Sequence, residues 1–227
     1  LAGLQINLIV ITAIASTLAS GSIAIFNLAN NIQYLPIGIF GIAFTTAVFP
    51  SLSKAFAKED KKTFSQKFSS TFSQILFLIV PLSALFIILR AQIVRVVLGT
   101  GEFGWVDTRL TAAALGIFSL SIFAQSLVPL VSRAFYAFHN TKTPVLISLI
   151  SIIINIIFSF IFIWSLGSSS IFSSFISDIL KLKGIREIAI LGLPLAFSIA
   201  NIFNFFVLLQ AFNKKIDWWY PKYILKS

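Results

Sequence analysis

The chain has no cysteine and no methionine, and its only histidine is His139. Without thiols there is no disulfide framework, no thiol nucleophile and no thiolate metal site, and the redox compartment leaves no trace in the sequence. A single histidine does not build a histidine-cluster metal site. The seven carboxylates all fall in loops or at the ends of apolar runs, so no paired intramembrane acid and base is present. The reading is therefore no catalytic residue, no metal and no cofactor. There is no GxxxxGK(S/T) phosphate loop, which argues against a motor domain. Gly99, Gly101 and Gly104 match GxGxxG, but no βαβ unit surrounds them and a tight turn is the reading. With no Met at position 1, the chain is read as a fragment. Its start has neither the charged region nor the cleavage site of a signal peptide, so the first apolar run is read as structural.

Charge is scarce as well. Charged residues make up 11% of the chain and hydrophobic ones 58%, where a soluble domain carries about a quarter charged residues. Residues 1–53, 68–89, 110–132, 143–177 and 188–213 hold no charge at all. A span needs about 20 apolar residues, so each run is long enough. The first run must hold two spans, because a single helix of that length would reach about 80 Å; Ser20, Gly21 and Ser22 form the expected break. The expected fold is all-α: a polytopic membrane bundle of six helices, at about 4–19, 24–50, 68–89, 109–137, 143–166 and 190–212, forming one lobe over residues 1–213.

What charge there is sums to +10. In a soluble protein that would suggest nucleic acid, but here its distribution matters more. The six spans put eleven cations on one side (Lys54, Lys58, Lys61, Lys62, Lys67, Arg133, Lys142, Lys214, Lys215, Lys222, Lys226) and six on the other (Arg90, Arg95, Arg109, Lys181, Lys183, Arg186). The positive-inside rule makes the first side cytoplasmic, with both chain ends there and a membrane, not nucleic acid, as the partner. Residues 54–67 read as a solvated basic connection. In 168–188, Ile171, Phe172, Phe175, Ile176, Ile179 and Leu180 oppose Ser173, Ser174, Ser177, Asp178 and Lys181, the pattern of an amphipathic helix in the outer interface. Trp218, Trp219 and Tyr220 beside Lys214, Lys215 and Lys222 make residues 214–227 an aromatic and basic cytoplasmic tail.

The second span is unusually long and contains Pro36, Gly38 and Gly41, so it should tilt or kink. Asn27, Asn31, Tyr34, Gly38, Gly41 and Thr45 recur at helical spacing along one face. A polar amide facing lipid is costly, so this stripe should face other helices or a wet cavity. Helix packing through small residues and amides accounts for it equally well. Weaker seams occur at Gln5, Thr12 and Ser16, at Ser148, Ser151, Asn155 and Ser159, and at Ser198 and Asn201. Thr143 can cap a helix beginning at Pro144, where a missing N–H is harmless. Arg133 and Lys142 sit at the cytoplasmic end, as positive-inside anchors or as cations that gather an anionic headgroup.

Several stretches resemble the MurJ (MviN) lipid II flippases. They are Gln5-Ile-Asn-Leu-Ile-Val, Leu35-Pro-Ile-Gly-Ile-Phe-Gly-Ile-Ala, Ala47-Val-Phe-Pro-Ser-Leu-Ser, Leu110-Thr-Ala-Ala-Ala-Leu and Arg133-Ala-Phe-Tyr-Ala-Phe-His-Asn-Thr-Lys-Thr-Pro-Val. Together they cover residues 5 to about 147; the remainder agrees only in hydropathy. The resemblance implies one of two six-helix lobes around a central cavity. It implies alternating access that moves lipid II, the lipid-linked anionic peptidoglycan precursor, across the bacterial cytoplasmic membrane, with no ATP hydrolysis and with the missing N-terminal lobe as partner. On that reading Asn27, Asn31, Tyr34 and Asn155 line the cavity, and Arg133, Tyr136, Thr143 and Pro144 form a motif at its cytoplasmic mouth.

The departures from the family pattern matter. Relatives carry a cavity-facing Arg in an A-D-R-x-x-Q-L-P context, where this chain has Ala29-Asn30-Asn31-Ile32-Gln33-Tyr34-Leu35-Pro36. Asn31 stands at the Arg position. A guanidinium meets a diphosphate with a charged fork of donors, whereas an amide offers neutral hydrogen bonds. Diphosphate binding is therefore expected to be weaker here or to shift to the other lobe. Some relatives also bind sodium through carboxylates on the first and fifth spans. Ile11 and Ser159 occupy those positions, with only Asn155 retained, so no sodium coupling is expected through that site. A related exporter of polysaccharide lipids or drugs, and a non-transporting envelope scaffold, are the alternatives.

Overall fold

The computed structural model describes residues 2–98, 104–168, 171–182, 185 and 187–215, which form helices joined by turns and short irregular segments with no strand among them. The helices are α1 (Ala2–Ala15), α2 (Ser22–Pro36), a π-helical segment (Ile37–Ile42), α3 (Ala43–Ala57), α4 (Lys61–Leu98), α5 (Trp105–Ser119), α6 (Ile122–Ala137), α7 (Lys142–Gly167), α8 (Ile171–Ile179), a 3₁₀ turn (Ile188–Leu191) and α9 (Gly192–Lys215). Gly99, Gly101, Lys183, Arg186, the tail cluster Trp218, Trp219, Tyr220, Lys222 and Lys226, and the side chain of Gln5 lie outside the described residues.

Among those residues, four stretches are long and apolar enough to cross a membrane: Ser22–Ala57, Lys61–Leu98, Lys142–Gly167 and Ile188–Lys215. A fifth results if α5 and α6 count together across their break. Where the first span is expected, α1 has 14 described residues, about 21 Å beside a hydrocarbon core of about 30 Å.

Three boundaries differ from expectation for identifiable reasons. The basic connection expected over 54–67 shrinks to residues 58–60, because α3 runs on to Ala57 and α4 begins at Lys61. The turn is closed by Glu59 at φ 54, with Glu59 N–H donating to Phe56 O at 2.9 Å and Asp60 N–H to Ala55 O at 3.0 Å. These are the paired bonds of a left-handed helix C-terminus. Asp60 then accepts from Thr63 N–H at 2.9 Å, and the next helix starts at once. The second boundary concerns the long second span, which passes Pro36 without ending. Pro36 has no N–H to donate, and the helix relaxes into a π segment whose last bonds include Ala43 N–H to Gly38 O, five residues back. The fourth expected span is broken at Leu120 and Ser121. There Ser119 Oγ donates to Leu115 O at 2.6 Å and Ser121 Oγ to Phe118 O at 2.9 Å, a back-bonding that bends helices.

The chain forms two compact units, and each long helix gives one part to each. Unit 1 comprises residues 1–33, 84–121 and 151–200. Its centre is α5, of which every residue from Leu110 to Ser119 is buried. Phe118 meets Phe26 and Phe197 edge-on, with ring centroids 5.4 and 5.5 Å apart. Gly192 opens α9 hard against α7: a Cβ there would lie 2.8 Å from Ile163 N. Unit 2 comprises residues 34–83, 122–150 and 201–227. Its core is a run of aromatic rings, Phe64 to Phe138 at 5.0 Å, Phe138 to Phe212 at 6.1 Å and Phe212 to Phe68 at 4.6 Å. Lipid tails are as apolar as these side chains, so burial from water does not drive such contacts within a bilayer. Close packing does, at about 0.5–1.5 kcal/mol for each well-placed aromatic pair.

Candidate functional site

The stripe on the second span divides. In unit 1, Asn31 is exposed and Asn27 half-buried, while buried Gln33 donates from Nε2 to Asn30 Oδ1 at 2.9 Å. Of the two neighbouring amides, Asn30 is thus in a neutral pair and Asn31 is exposed. In unit 2, Tyr34 is 52% exposed, whereas Gly41 and Thr45 are buried. A Cβ at Gly41 would come within 2.8 Å of Ser126 Cα, whereas one at Gly38 would meet nothing within 4 Å. The phase change has a cause in the π segment, where each inserted residue turns the face by about 100°. The stripe is thus buried at Gly41 and Thr45 and exposed at Asn31 and Tyr34.

Asn155 is placed differently from expectation. It is 1% exposed, and with Ser151 and Ser159 it forms a stripe at i, i+4, i+8 turned into unit 1. An amide on an apolar helix is cheapest where it can bond inside the bundle, and Asn155 is engaged there. It does not present itself as a surface-lining residue. Ile11 is fully buried in the same unit.

The motif around Arg133 gathers at the turn between α6 and α7 in unit 2. Arg133 Cζ lies 5.8 Å from the centre of the Phe49 ring, a cation–π contact that ties α6 to α3. Tyr136 is 39% exposed. His139 takes φ 56, and the bonds His139 N–H to Tyr136 O and Asn140 N–H to Phe135 O, both 3.0 Å, repeat the design of the Glu59 turn. The cap is Asn140, not Thr143. Asn140 Oδ1 accepts Thr143 N–H at 3.3 Å and Asn140 Nδ2 donates to Thr143 Oγ1 at 2.9 Å. The helix therefore begins at Lys142, two residues before Pro144, which is buried in the first turn where an N–H has no helical partner. The two turns differ in one respect: the Thr63 hydroxyl and N–H hold the Asp60 carboxyl below its ordinary range, and the amide of Asn140 has no such titration.

One further feature is not visible in the sequence. In unit 1 a recess of about 310 Å³ is lined by Arg90 and Arg95 of α4, Trp105 and Arg109 of α5, and Lys181 just after α8. In sequence these cations count only as the minority on one side. The single local hint is Trp105 and Arg109, four apart on one helix face, with Arg109 Cζ 4.5 Å from the ring centre.

Against known proteins, the family model described as "Lipid II flippase MurJ" matches residues 1–171. The chain belongs to this family. Among MurJ relatives it is 30% identical over 167 residues to the "Probable lipid II flippase MurJ" of Thermotoga maritima, covering 74% of this chain and 34% of that protein. With the Helicobacter pylori protein of the same description it shares 28% identity over 202 residues, 89% of this chain and 39% of the relative. A solved structure described as "Lipid II flippase MurJ, inward closed conformation" aligns with a TM-score of 0.74 and 29% identity, over 98% of this chain and 41% of that one. The chain thus spans about a third of the length of the curated MurJ relatives it matches.

Proposed function

We propose that the protein carrying this chain moves lipid II across the bacterial cytoplasmic membrane by alternating access, with this chain as one helical lobe, and that it does so as a transporter without catalytic chemistry. The observation that carries the proposal is the agreement of nearly the whole lobe with a lipid II flippase structure, together with a polar helix face that keeps Asn31 and Tyr34 open. In this reading the lobe has six spans over 1–213, an outer interfacial helix within 168–188 and a cytoplasmic tail at 214–227, and both ends of the chain are cytoplasmic. Asn27, Asn31 and Tyr34 line the route; Asn155 supports the bundle from within. Arg133 and Tyr136 sit at the cytoplasmic mouth on a turn fixed by Asn140. With an amide at position 31 this lobe contributes neutral hydrogen bonds to the diphosphate, and the charged contacts come from the other lobe.

Depletion of the native flippase in a bacterial host, with the full-length gene supplied in trans, tests the proposal. Growth and outward display of lipid II are restored if it is right. Well-expressed, membrane-inserted protein that restores neither rules it out, and restored export of a different lipid-linked glycan would identify the related exporter instead.

A further inference from the structure

The recess in unit 1 sets cationic side chains around an otherwise largely apolar wall that includes Ala112 and Leu180. Four cations from three separate elements, Arg90, Arg95, Arg109 and Lys181, line it, and no carboxylate of the described residues does. Asp107, nearby in sequence, is engaged at the helix start, where its Oδ2 accepts Gly104 N–H at 3.1 Å. Two of the guanidinium groups have defined neighbours. Arg109 stacks on Trp105, and Arg90 lies across Gly116, where a Cβ would come within 2.9 Å of Arg90 Cδ and 3.0 Å of its Nη1. An anion placed among these side chains is attracted by all four charges. Guanidinium forks suit the oxygens of a phosphate.

The rim indicates where that phosphate comes from. Lys181 follows directly on α8, which exposes Ile171, Phe175 and Ile179, at 92%, 59% and 55%, on one face. That is the form of a helix lying in a lipid interface. Trp105 is 63% exposed beside the recess, as is common for indoles at headgroup depth. We propose that this recess binds the phosphate of an acidic membrane lipid. The proposal rests on the chain lying in a bilayer and not on which cargo the protein moves.

The test is lipid retention by the full-length protein in phosphatidylcholine nanodiscs. One set is doped with phosphatidylglycerol and one with undecaprenyl diphosphate, and retained lipid is counted by native mass spectrometry. Wild type should retain at least one doped lipid over phosphatidylcholine. Arg95→Gln with Arg109→Gln should cut that retention roughly tenfold or more, and Lys181→Gln alone roughly fivefold. Gly116→Ala, which pushes Arg90 aside, should also weaken it. Lys58→Gln with Lys62→Gln, at the exposed turn of unit 2, should change it little. Unaltered thermal unfolding of each variant separates binding loss from misfolding, and Lys181→Gln, outside the helices, remains informative where the double variant does not fold. Loss confined to phosphatidylglycerol assigns a bulk phospholipid, and loss confined to undecaprenyl diphosphate assigns a polyprenyl lipid; either supports the site. Three results overturn it: no preference for either acidic lipid, equal loss in the Lys58 and Lys62 variant, or displacement by millimolar inorganic phosphate as effective as by lipid. None of these readouts depends on transport, so failure here leaves the flippase proposal standing.

Discussion

Gly41 in unit 2 and Gly116 in unit 1 are both helical glycines that let a neighbour come close, but they admit different things. Gly41 admits backbone, with Ser126 Cα 2.8 Å from where its Cβ would be; Gly116 admits the flexible end of Arg90. Gly38, one helical turn before Gly41, admits nothing. In the sequence all three read as small residues in apolar helices. Small size in a membrane helix is thus a fold requirement at one position, a charge-seating device at another and neither at a third. What distinguishes them is whether the opposing atoms are able to move.

The comparison is broken most severely at Gly41. Gly41→Ala has no relief by rotamer change, because the opposing atoms are main chain, and should cost about 3 kcal/mol by overpacking. Thermal unfolding in detergent or nanodiscs reads this loss, and Gly38→Ala should move it by less than about 1 kcal/mol, in the stabilising direction. If the two variants unfold alike, the contact with Ser126 does not hold α6 as described. Next in size is Phe212→Ala, which removes the ring that touches Phe68 and Phe138 in unit 2 and should also cost about 3 kcal/mol, chiefly through the cavity it leaves. Gly116→Ala should cost far less stability than Gly41→Ala, because Arg90 can swing away, and its effect should appear in anion binding.

The turns sharpen the comparison at smaller magnitude. Asn140→Ala should lose about 1 kcal/mol through the uncapped start of α7. The Asp60 turn differs only in being titratable. Its folded carboxyl is held below its ordinary range by Thr63, so its contribution is present above the ordinary carboxylate pKa and is lost as pH falls through the depressed folded value. Amide exchange at Thr63 should therefore accelerate in acid relative to Thr143, once the intrinsic pH dependence is divided out. Matching profiles at the two sites would remove the carboxylate from the cap.

Much of the fold was legible because charge-free runs record where a bilayer is. They do not record where helices end. The run 68–89 sits inside a helix of residues 61–98, since polar turns of a helix extend freely into water and cap only where the chain supplies a left-handed residue and an Asx side chain, as at Glu59 and Asp60 or His139 and Asn140. Hydropathy likewise runs unbroken across Leu120, where the interruption comes from serine hydroxyls bonding back to carbonyls. Along the second span, periodicity set Asn31 and Tyr34, which are exposed, on one face with Gly41 and Thr45, which are buried beyond the π segment that shifts the face. The inward turn of Asn155 depends on which helices surround α7. The cation recess was hidden for a related reason: Lys181 comes from an element far along the chain from Arg90 and Arg109, and counting charges by side merges them with topology signals.

The central claim is that an uncharged polar face on this lobe carries a diphosphate lipid. The most direct measurement is lipid II transfer by the full-length protein in proteoliposomes, read as accessibility to a membrane-impermeant enzyme that cleaves the headgroup, for wild type, Asn31→Leu and Gly38→Ala. Wild type and Gly38→Ala should expose lipid II at similar rates, and Asn31→Leu should fall by roughly tenfold with its unfolding temperature unchanged. Transfer by Asn31→Leu at the wild-type rate, or loss of transfer only together with loss of the fold, would contradict the account.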